Sequence, residues 1–322
     1  MTQPSLSLIV PVYNSEGSLE ELVRRISVAL AEYPEKELIL VNDGSRDTSW
    51  AVIERLCRAN SWVRGIDLMR NYGQHNALLA GIRSARHELC VTLDDDLQNP
   101  PEEVPRMIAL LSDKVDVVYG VPEKQQHGLF RDLASSVTKL TLKHAMGADI
   151  ARNISAFRVF RTQVREAFLE HKSPTVNIDV LLTWGTTRFS MLAVKHDQRQ
   201  IGVSNYTFRK LVSHAFNMMT GFSTLPLQLA SFVGFFFTLV GVAVFLFVIA
   251  RYFVSGDFVP GFPFLASIIA VFSGAQLLSL GIIGEYLARM HFRTLDKPPF
   301  VVRNQATGGE AKNLAPVTKL HS

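Results

Sequence analysis

The stretch LDDDLQNPPEE, Leu93 to Glu103, places three consecutive aspartates directly after the apolar run Leu89-Cys-Val-Thr. That run is typical of a buried strand, and carboxylates that lie side by side repel each other and resist burial. An acidic surface turn would explain the cluster, and so would a binding site for a cation.

Asp94 and Asp96 point to the same side if the strand continues through the cluster, because alternate side chains of a strand share a face. Gln98 lies just beyond them, whereas Asp95 points elsewhere. Two carboxylates on one side suit a hard divalent cation such as Mg²⁺ or Mn²⁺, which keeps positions open for phosphate oxygens. We expect Asp95 to tolerate substitution better than either neighbour.

Residues 5–120 alternate between strand-like and helix-like segments. Strands separated by helices of roughly 10–15 residues predict an α/β fold with a mostly parallel sheet flanked by helices. Ligands bind such sheets at the carboxyl ends of the strands. The predicted strands are 5–12, 37–42, 63–68, 89–93 and 115–119, and the predicted helices begin at Ser18 and cover 47–60, 74–86 and 101–112. Polar clusters follow these strands at Tyr13-Asn14, Asp43-Gly44-Ser45, Arg70-Asn71 and Asp94–Asp96.

Composition excludes several classes of protein. The net charge is +4, but the basic residues are scattered and no DNA-reading motif occurs, so we expect no nucleic-acid partner. Cys57 and Cys90 both fall in segments that look interior, which excludes a disulfide framework and fits a reducing compartment. The N-terminus has a short apolar run without a basic start, which predicts a first strand and not a signal peptide.

Two spans near the C-terminus, Pro226–Ala250 and Phe262–Gly284, contain no charged residue. Each exceeds the roughly 20 apolar residues that cross a bilayer, and together they predict a two-helix transmembrane hairpin. Two buried helices of a soluble protein are the alternative. Residues 207–225 show the apolar spacing of a helix that lies on a membrane surface. The predicted domains are therefore 1–206 (α/β), 207–225 (interfacial helix), 226–290 (hairpin) and 291–322 (a tail that is mobile after about 303).

Charged residues around the hairpin predict its orientation. Arg209 and Lys210 precede the first span, Arg289 and Arg293 follow the second, and the loop between the spans carries only Arg251 and Asp257. Positive charge favours the cytoplasmic side. We therefore predict a multi-pass protein of the inner (cytoplasmic) membrane, in contact with membrane lipid, whose α/β domain and both termini are cytoplasmic.

Four motifs occur in order along the α/β segment: PVYN (11–14), VNDGSRDTS (41–49), RNYGQHNALLAG (70–81) and LDDDLQNPPEE (93–103). In this order and spacing they resemble the signature of glycosyltransferase family 2, in particular its polyprenyl-phosphate glycosyltransferases. RNYGQH and DLQNPPEE are most similar to the members that transfer 4-deoxy-4-formamido-L-arabinose to undecaprenyl phosphate. The α/β segment followed by the hairpin is also similar to bactoprenol glucosyl transferases, and the subgroup includes dolichol-phosphate mannose synthase, so the resemblance leaves the sugar open. It extends over roughly residues 5–300.

The resemblance implies a GT-A-type fold and a role for each matching residue. Asp94, Asp96 and Gln98 would hold Mg²⁺ or Mn²⁺ on the donor diphosphate. Pro11, Tyr13, Asn14 and Asp43 would contact the nucleoside, Arg70 and Asn71 would line the donor side, Arg131 and Ser135 would bind the lipid phosphate, and Arg158 and Arg199 would lie near the diphosphate and acceptor. The catalytic candidates are Asp96, Arg131 and Arg158. A plain surface arginine is the alternative for Arg70, and an ordinary helix serine for Ser135.

Four positions depart from the family pattern. Ser15 follows PVYN where a glutamate is common, Pro122 replaces an arginine, Asn205 replaces a lysine, and Asn153 replaces an aspartate. Asn153 cannot act as a base. The reaction does not require one, because a lipid phosphate, with a second pKa of about 6, is largely dianionic at neutral pH and can attack without losing a proton.

These observations predict an inverting, metal-dependent transfer of one sugar from a nucleotide sugar, with UDP as the expected nucleotide, to undecaprenyl phosphate at the cytoplasmic membrane face. The product would serve cell-envelope glycan, lipid A or O-antigen modification. One alternative is a processive polysaccharide synthase, but the QxxRW motif of such enzymes is absent. Another is a non-catalytic membrane scaffold or nucleotide-sugar sensor. Resemblance to relatives also suggests a homo-oligomer, a tetramer.

Overall fold

The computed structural model describes residues 3–122, 154–174, 176–195, 225–255, 261–295 and 297–308. The chain divides into two compact units. One comprises Met1–Phe208 together with Asp296–Ser322, and the other is Arg209–Leu295. The interfacial helix predicted at 207–225 lies outside the described residues except for its last position.

The first unit alternates strands and helices, as the sequence predicts. Its described strands are β1 (Leu6–Val12), β2 (Lys36–Asn42), β3 (Val63–Leu68), β4 (Leu89–Thr92), β5 (Val117–Pro122), β6 (Arg158–Arg161), β7 (Phe189–Val194) and β8 (Val302–Thr307). Its described helices are α1 (Leu19–Ala29), α2 (Ser49–Ala59), α3 (Gln74–Ser84), α4 (Val104–Ile108) and α5 (Ile178–Gly185), with 3₁₀ turns at Pro101–Glu103 and Thr162–Ala167.

All eight strands form one sheet, in the order β7-β5-β6-β4-β1-β2-β3-β8. The four central strands, β3-β2-β1-β4, are mutually parallel, and so is the pair β5-β7. Strand β6 runs antiparallel to both of its neighbours, as β8 does to β3. Strand β1 is buried along its whole length, as expected for a central parallel strand covered by helices on both faces. The predicted α/β fold with a mostly parallel sheet is confirmed.

The helix predicted at 101–112 is shorter than expected. It begins as a 3₁₀ turn at Pro101–Glu103 and continues as α4 only to Ile108. Beyond it, the amides of Leu110 and Leu111 donate to carbonyls three residues earlier, at 3.2 and 3.0 Å. This tighter bonding ends the α-helix, as is common at helix termini.

The C-terminal segment contradicts the sequence-based expectation. Residues after about 303 were expected to form a mobile tail, yet Val302–Thr307 form β8 and pair with β3. Asp296–Ser322 accordingly belongs to the same compact unit as the sheet. Strand β8 stays at the edge because its polar sequence, VRNQAT, can leave one side to solvent.

Two long helices, α6 (Leu225–Ser255) and α7 (Gly261–Thr294), make up the described part of the second unit. They pack on each other where the rings of Phe237 and Phe272 lie 6.0 Å apart. Gly241 permits this approach, since a Cβ there would lie 2.8 Å from the Phe272 ring. Among the described residues, one helix has a stretch long and apolar enough to cross a membrane, Ala230–Phe247 in α6. This stretch fits the predicted hairpin, whereas the second span, Phe262–Gly284, stays a prediction.

Candidate functional site

Polar side chains meet at the carboxyl ends of the four central strands, because parallel strands end at the same edge of a sheet. The turn after β1 contacts the turn after β2: the Asn14 amide donates to Ser45 Oγ (3.0 Å), and the Arg46 amide donates to Asn14 Oδ1 (2.8 Å). Tyr13 is 44% exposed beside them. Pro11 is buried inside β1. Asn14 has a φ of 53°, a left-handed conformation that asparagine adopts more readily than most residues.

The three aspartates do not continue the strand, so strand alternation does not determine which way their side chains point. Strand β4 ends at Thr92, and Asp94, Asp95 and Asp96 lie in the turn that follows. Leu97 leaves this turn with a φ of 63°. The directions of the three side chains are therefore set by their individual hydrogen bonds.

Asp94 lies between two amide side chains. Its Oδ1 accepts from Gln74 Nε2 (2.7 Å), and its Oδ2 accepts from Asn99 Nδ2 (3.3 Å). Burial, together with the negative charges of Asp96 and Asp95, raises the pKa of Asp94 to about 7. The positive charge of Arg158 opposes this shift. Asp94 thus sits in a region of negative potential that a cation would relieve.

Asp95 connects the aspartate turn to the turn after β1. Its Oδ2 accepts hydrogen bonds from Ser15 Oγ (2.6 Å) and from the Tyr13 amide (3.2 Å). Burial raises the pKa of Asp95, and these two hydrogen bonds oppose the shift. Asp95 thus holds the turn that is predicted to bind the nucleoside. Its contacts therefore argue against the tolerance to substitution that we expected.

Asp96 and Gln98 complete the turn. The Gln98 amide donates to Asp96 Oδ1 at 3.2 Å. In the structure, the two predicted ligands thus contact each other through the backbone amide of Gln98. Both side chains are partly exposed, as residues that meet a ligand must be.

Asp43 holds the loop that follows β3. It is 3% exposed, and its two carboxylate oxygens accept from the amides of Tyr72 (2.7 Å) and Gly73 (2.8 Å). Burial raises the pKa of Asp43, and these backbone donors act in the opposite direction. The carboxylate has lone pairs left to accept a hydrogen bond from the nucleoside that the resemblance assigns to it.

Gly44 allows the same loop to come close to the turn after β2. Its φ is +64°, and a Cβ there would lie 2.5 Å from both the Arg70 carbonyl carbon and the Asn71 nitrogen. Only glycine fits such an approach without strain. The Arg70 guanidinium lies 4.2 Å from the centre of the Tyr72 ring, and both Arg70 and Asn71 are exposed. The loop Met69–Gly73 therefore forms one wall of the site.

Arg158 is buried and does not lie on the surface. It is 1% exposed in β6, opposite Thr92 of β4, and its Nη1 lies 2.8 Å from Asp179 Oδ1. Tyr119 Oη donates to the same oxygen at 3.0 Å. The charge of Arg158 nevertheless reaches Asp94, whose pKa it lowers. The role near the diphosphate and acceptor that the resemblance implies for Arg158 stays a prediction.

Several functional candidates lie outside the part of the chain that the structure describes. These are Arg131, Ser135 and Arg199, together with Asn153 and Asn205. Their roles stay predictions.

Four residues that reasoning from the sequence missed complete the described site: Gln74, Asn99, Tyr119 and Asp179. Gln74 and Asn99 stand inside the quoted motifs RNYGQH and DLQNPPEE, so their place beside the aspartates could have been suspected. Tyr119 and Asp179 carry no such signal, because their hydrogen bond joins residues that are 60 positions apart.

Comparison with known proteins agrees with this site. Residues 7–169 match the family described as Glycosyl transferase family 2. The chain is 36% identical over 312 residues to the undecaprenyl-phosphate 4-deoxy-4-formamido-L-arabinose transferase of Shewanella sediminis, which covers 95% of this chain and 94% of that protein. It is also 36% identical over 301 residues to the Pseudomonas aeruginosa protein of the same name, with 92% and 89% covered.

Among solved structures, the chain resembles glucosyl-3-phosphoglycerate synthase from Mycobacterium tuberculosis in complex with Mn²⁺, UDP-glucose and phosphoglyceric acid. The TM-score is 0.49 at 16% identity, with 67% of this chain and 78% of that chain covered. On the family match and on relatives that align along nearly its whole length, the chain belongs to glycosyl transferase family 2 and is a glycosyltransferase.

Proposed function

We propose that this chain transfers one sugar from a nucleotide sugar, with UDP as the nucleotide, to undecaprenyl phosphate. The observation that carries the proposal is the alignment over 95% of the chain with relatives named as undecaprenyl-phosphate sugar transferases. The site supports the proposal, because the aspartate turn and the turns after β1 and β2 meet at one edge of the sheet. An apolar helix long enough to reach a lipid substrate is present in the same chain.

The residues at the aspartate turn fit a divalent cation. Three carboxylates crowd there, and Asp94 has its pKa raised to about 7 by burial and by the charges of its neighbours. Among the described residues, no three His, Cys, Asp or Glu side chains are grouped so that they could hold a metal ion by themselves. Mg²⁺ and Mn²⁺ commonly take one or two protein carboxylates and complete their coordination with phosphate oxygens and water. Asp94, Asp96 and Gln98 would hold the ion, which would neutralise charge on the leaving diphosphate.

The chain's own residues would then orient the two substrates. Asp43, Pro11 and the turn Tyr13-Asn14 would contact the nucleoside, and Arg70 with Asn71 would line the donor side. Arg131, Ser135 and Arg199 would anchor the lipid phosphate. A dianionic phosphate needs no base, so alignment and charge stabilisation would supply most of the acceleration. A single displacement of this kind inverts the configuration at the anomeric carbon of the sugar.

Membrane attachment is part of the proposal. The chain would cross the inner membrane through α6 and α7, with its catalytic unit and both termini in the cytoplasm. The positive charges before the first span and after the second support this orientation. A homo-oligomer, a tetramer by resemblance, would be the working form.

Metal affinity should depend on pH through Asp94. Below its pKa of about 7, this carboxyl holds a proton that a cation must displace. The affinity therefore rises as the pH rises towards the pKa and levels off above it. We expect Mn²⁺ to bind about tenfold more weakly at about pH 6 than at about pH 8, measured by calorimetry. Asp94→Asn should bind weakly and without this dependence, whereas equal wild-type affinities at both pH values would contradict the prediction.

The proposed reaction can be tested on the full chain in detergent. Undecaprenyl phosphate, Mn²⁺ and a panel of radiolabelled UDP-sugars are incubated with the protein, and GDP-sugars serve as the contrast. We expect one UDP-sugar to label the lipid with a single sugar of inverted configuration, and chelation of the cation to stop the reaction. Folded protein that labels no lipid with any donor would overturn the proposal. Labelled polymer would indicate a processive synthase instead.

A further inference from the structure

The segment that follows the second long helix returns to the sheet beside the loop Met69–Gly73. Helix α7 ends at Thr294, and strand β8 begins at Val302. We propose that residues 301–303 are a positioning element of the donor site, with Val301 and Arg303 holding the start of this loop. The assignment of the loop to the donor rests on the proposed function, whereas the contacts that hold it do not.

Both backbone polar groups of Met69 bond to the C-terminal segment. The Met69 amide donates to the Val301 carbonyl at 2.9 Å, and the Met69 carbonyl accepts from Arg303 Nη2 at 2.7 Å. The register of β3 with β8 shifts between Asp67 and Leu68, immediately before this contact. Such irregularities redirect a strand at its end, which here is the point where the loop begins.

A series of contacts continues from Arg303 to the turn after β1. Arg303 Nη1 lies 3.7 Å from Asp67 Oδ2, and Asp67 Oδ1 accepts from Asn42 Nδ2 at 2.7 Å. Asn42 Oδ1 then accepts from the Ser45 amide at 3.3 Å. Ser45 Oγ in turn accepts from the Asn14 amide at 3.0 Å. The C-terminal segment is thereby connected to the predicted nucleoside contact.

Asp67 fixes the direction of this series. A carboxylate only accepts, so the Asn42 amide group must turn its nitrogen to Asp67 and its oxygen to Ser45. Asp67 is 3% exposed, and burial raises its pKa, while the Asn42 hydrogen bond and the Arg303 charge act in the opposite direction. Arg303 therefore helps to keep Asp67 ionised and acceptor-only.

The loop Met69–Gly73 is also held by contacts that do not involve β8. At the end of the loop, the amides of Tyr72 and Gly73 donate to Asp43, and the Tyr72 carbonyl accepts from Asn76 Nδ2 at 2.7 Å. Loss of Arg303 should therefore release the start of the loop without unfolding the sheet. Arg303 is 52% exposed, so its removal costs no core packing.

The test compares Arg303→Ala and Arg303→Lys with Gln305→Ala in the full detergent-solubilised chain. Gln305 is exposed on the same strand and serves as the matched control. Hydrogen exchange should increase in peptides covering 42–46 and 69–73 for Arg303→Ala, and stay unchanged for Gln305→Ala. The affinity for UDP with Mn²⁺, measured by calorimetry, should fall about tenfold for Arg303→Ala and less for Arg303→Lys.

Each outcome has a defined meaning. Exchange in these two regions that stays at the wild-type level in Arg303→Ala overturns the inference. So does an increase spread over the whole sheet, because that indicates general destabilisation. Unchanged UDP affinity in a variant whose exchange does increase overturns the positioning role. If the wild-type chain binds no UDP, the proposed nucleotide is wrong, and the exchange comparison alone decides whether residues 301–303 hold the loop.

Discussion

Asp96→Ala should lower the rate of sugar transfer by about 10²–10³-fold while the protein remains folded. Asp96 lies in the turn after β4 and is partly exposed, as Asp94 is. The substitution would remove a negative charge that is proposed to bind the cation. Because Asp96 is partly exposed, the hydrophobic core should stay intact. Initial rates of lipid labelling at saturating donor, with melting temperature measured in parallel, separate a loss of catalysis from a loss of structure.

Two other aspartates give this experiment its controls. Asp113 is exposed in the loop after α4, so Asp113→Ala should retain wild-type rates. Asp95→Ala should mainly raise the KM for the donor, because Asp95 accepts hydrogen bonds from the Tyr13 amide and the Ser15 hydroxyl and so holds the turn after β1. If Asp96→Ala keeps wild-type activity, Asp96 is not a ligand of the metal. If Asp95→Ala lost Mn²⁺ binding, the assignment of ligands within the turn would have to change.

The central part of the fold could be predicted from the sequence because its signals are local. Each of β1 to β4 is a short apolar run followed by a polar turn, and parallel strands then bring those turns together. The prediction failed just past Thr92, where the alternation of a strand was extended into the aspartates. The positive φ of Leu97, which marks a turn, could not be expected from the sequence, because leucine rarely adopts a left-handed conformation.

Strand β8 and the network around Arg158 were missed for a different reason. VRNQAT has little apolar content, and it becomes a strand because the edge of β3 is available to pair with it. Arg158, Tyr119 and Asp179 meet only after three separate elements have packed. Such contacts between distant segments depend on tertiary structure, which no local pattern reports.

Arg158→Ala should destabilise the protein by about 3–5 kcal/mol, because it leaves the buried Asp179 without its ion-pair partner. Arg158 is 1% and Asp179 6% exposed, so the pair is largely shielded from solvent. Tyr119 Oη would remain as a single donor to Asp179 Oδ1. Chemical denaturation, followed by a signal from the catalytic unit, measures this loss.

The variant Arg158→Lys separates stability from catalysis. Lysine keeps the positive charge, so most of the stability and of the electrostatic effect on Asp94 should survive, and kcat should fall only modestly. Arg188→Ala is the control, since Arg188 pairs with Asp116 at 3.2 Å while 57% exposed, and such pairs contribute less than about 1 kcal/mol. A fully stable Arg158→Lys enzyme with a large loss of kcat would instead show that the guanidinium itself contacts the substrate. In that case the buried position of Arg158 would have to change during the reaction, and Asp179→Asn should then leave kcat unaffected.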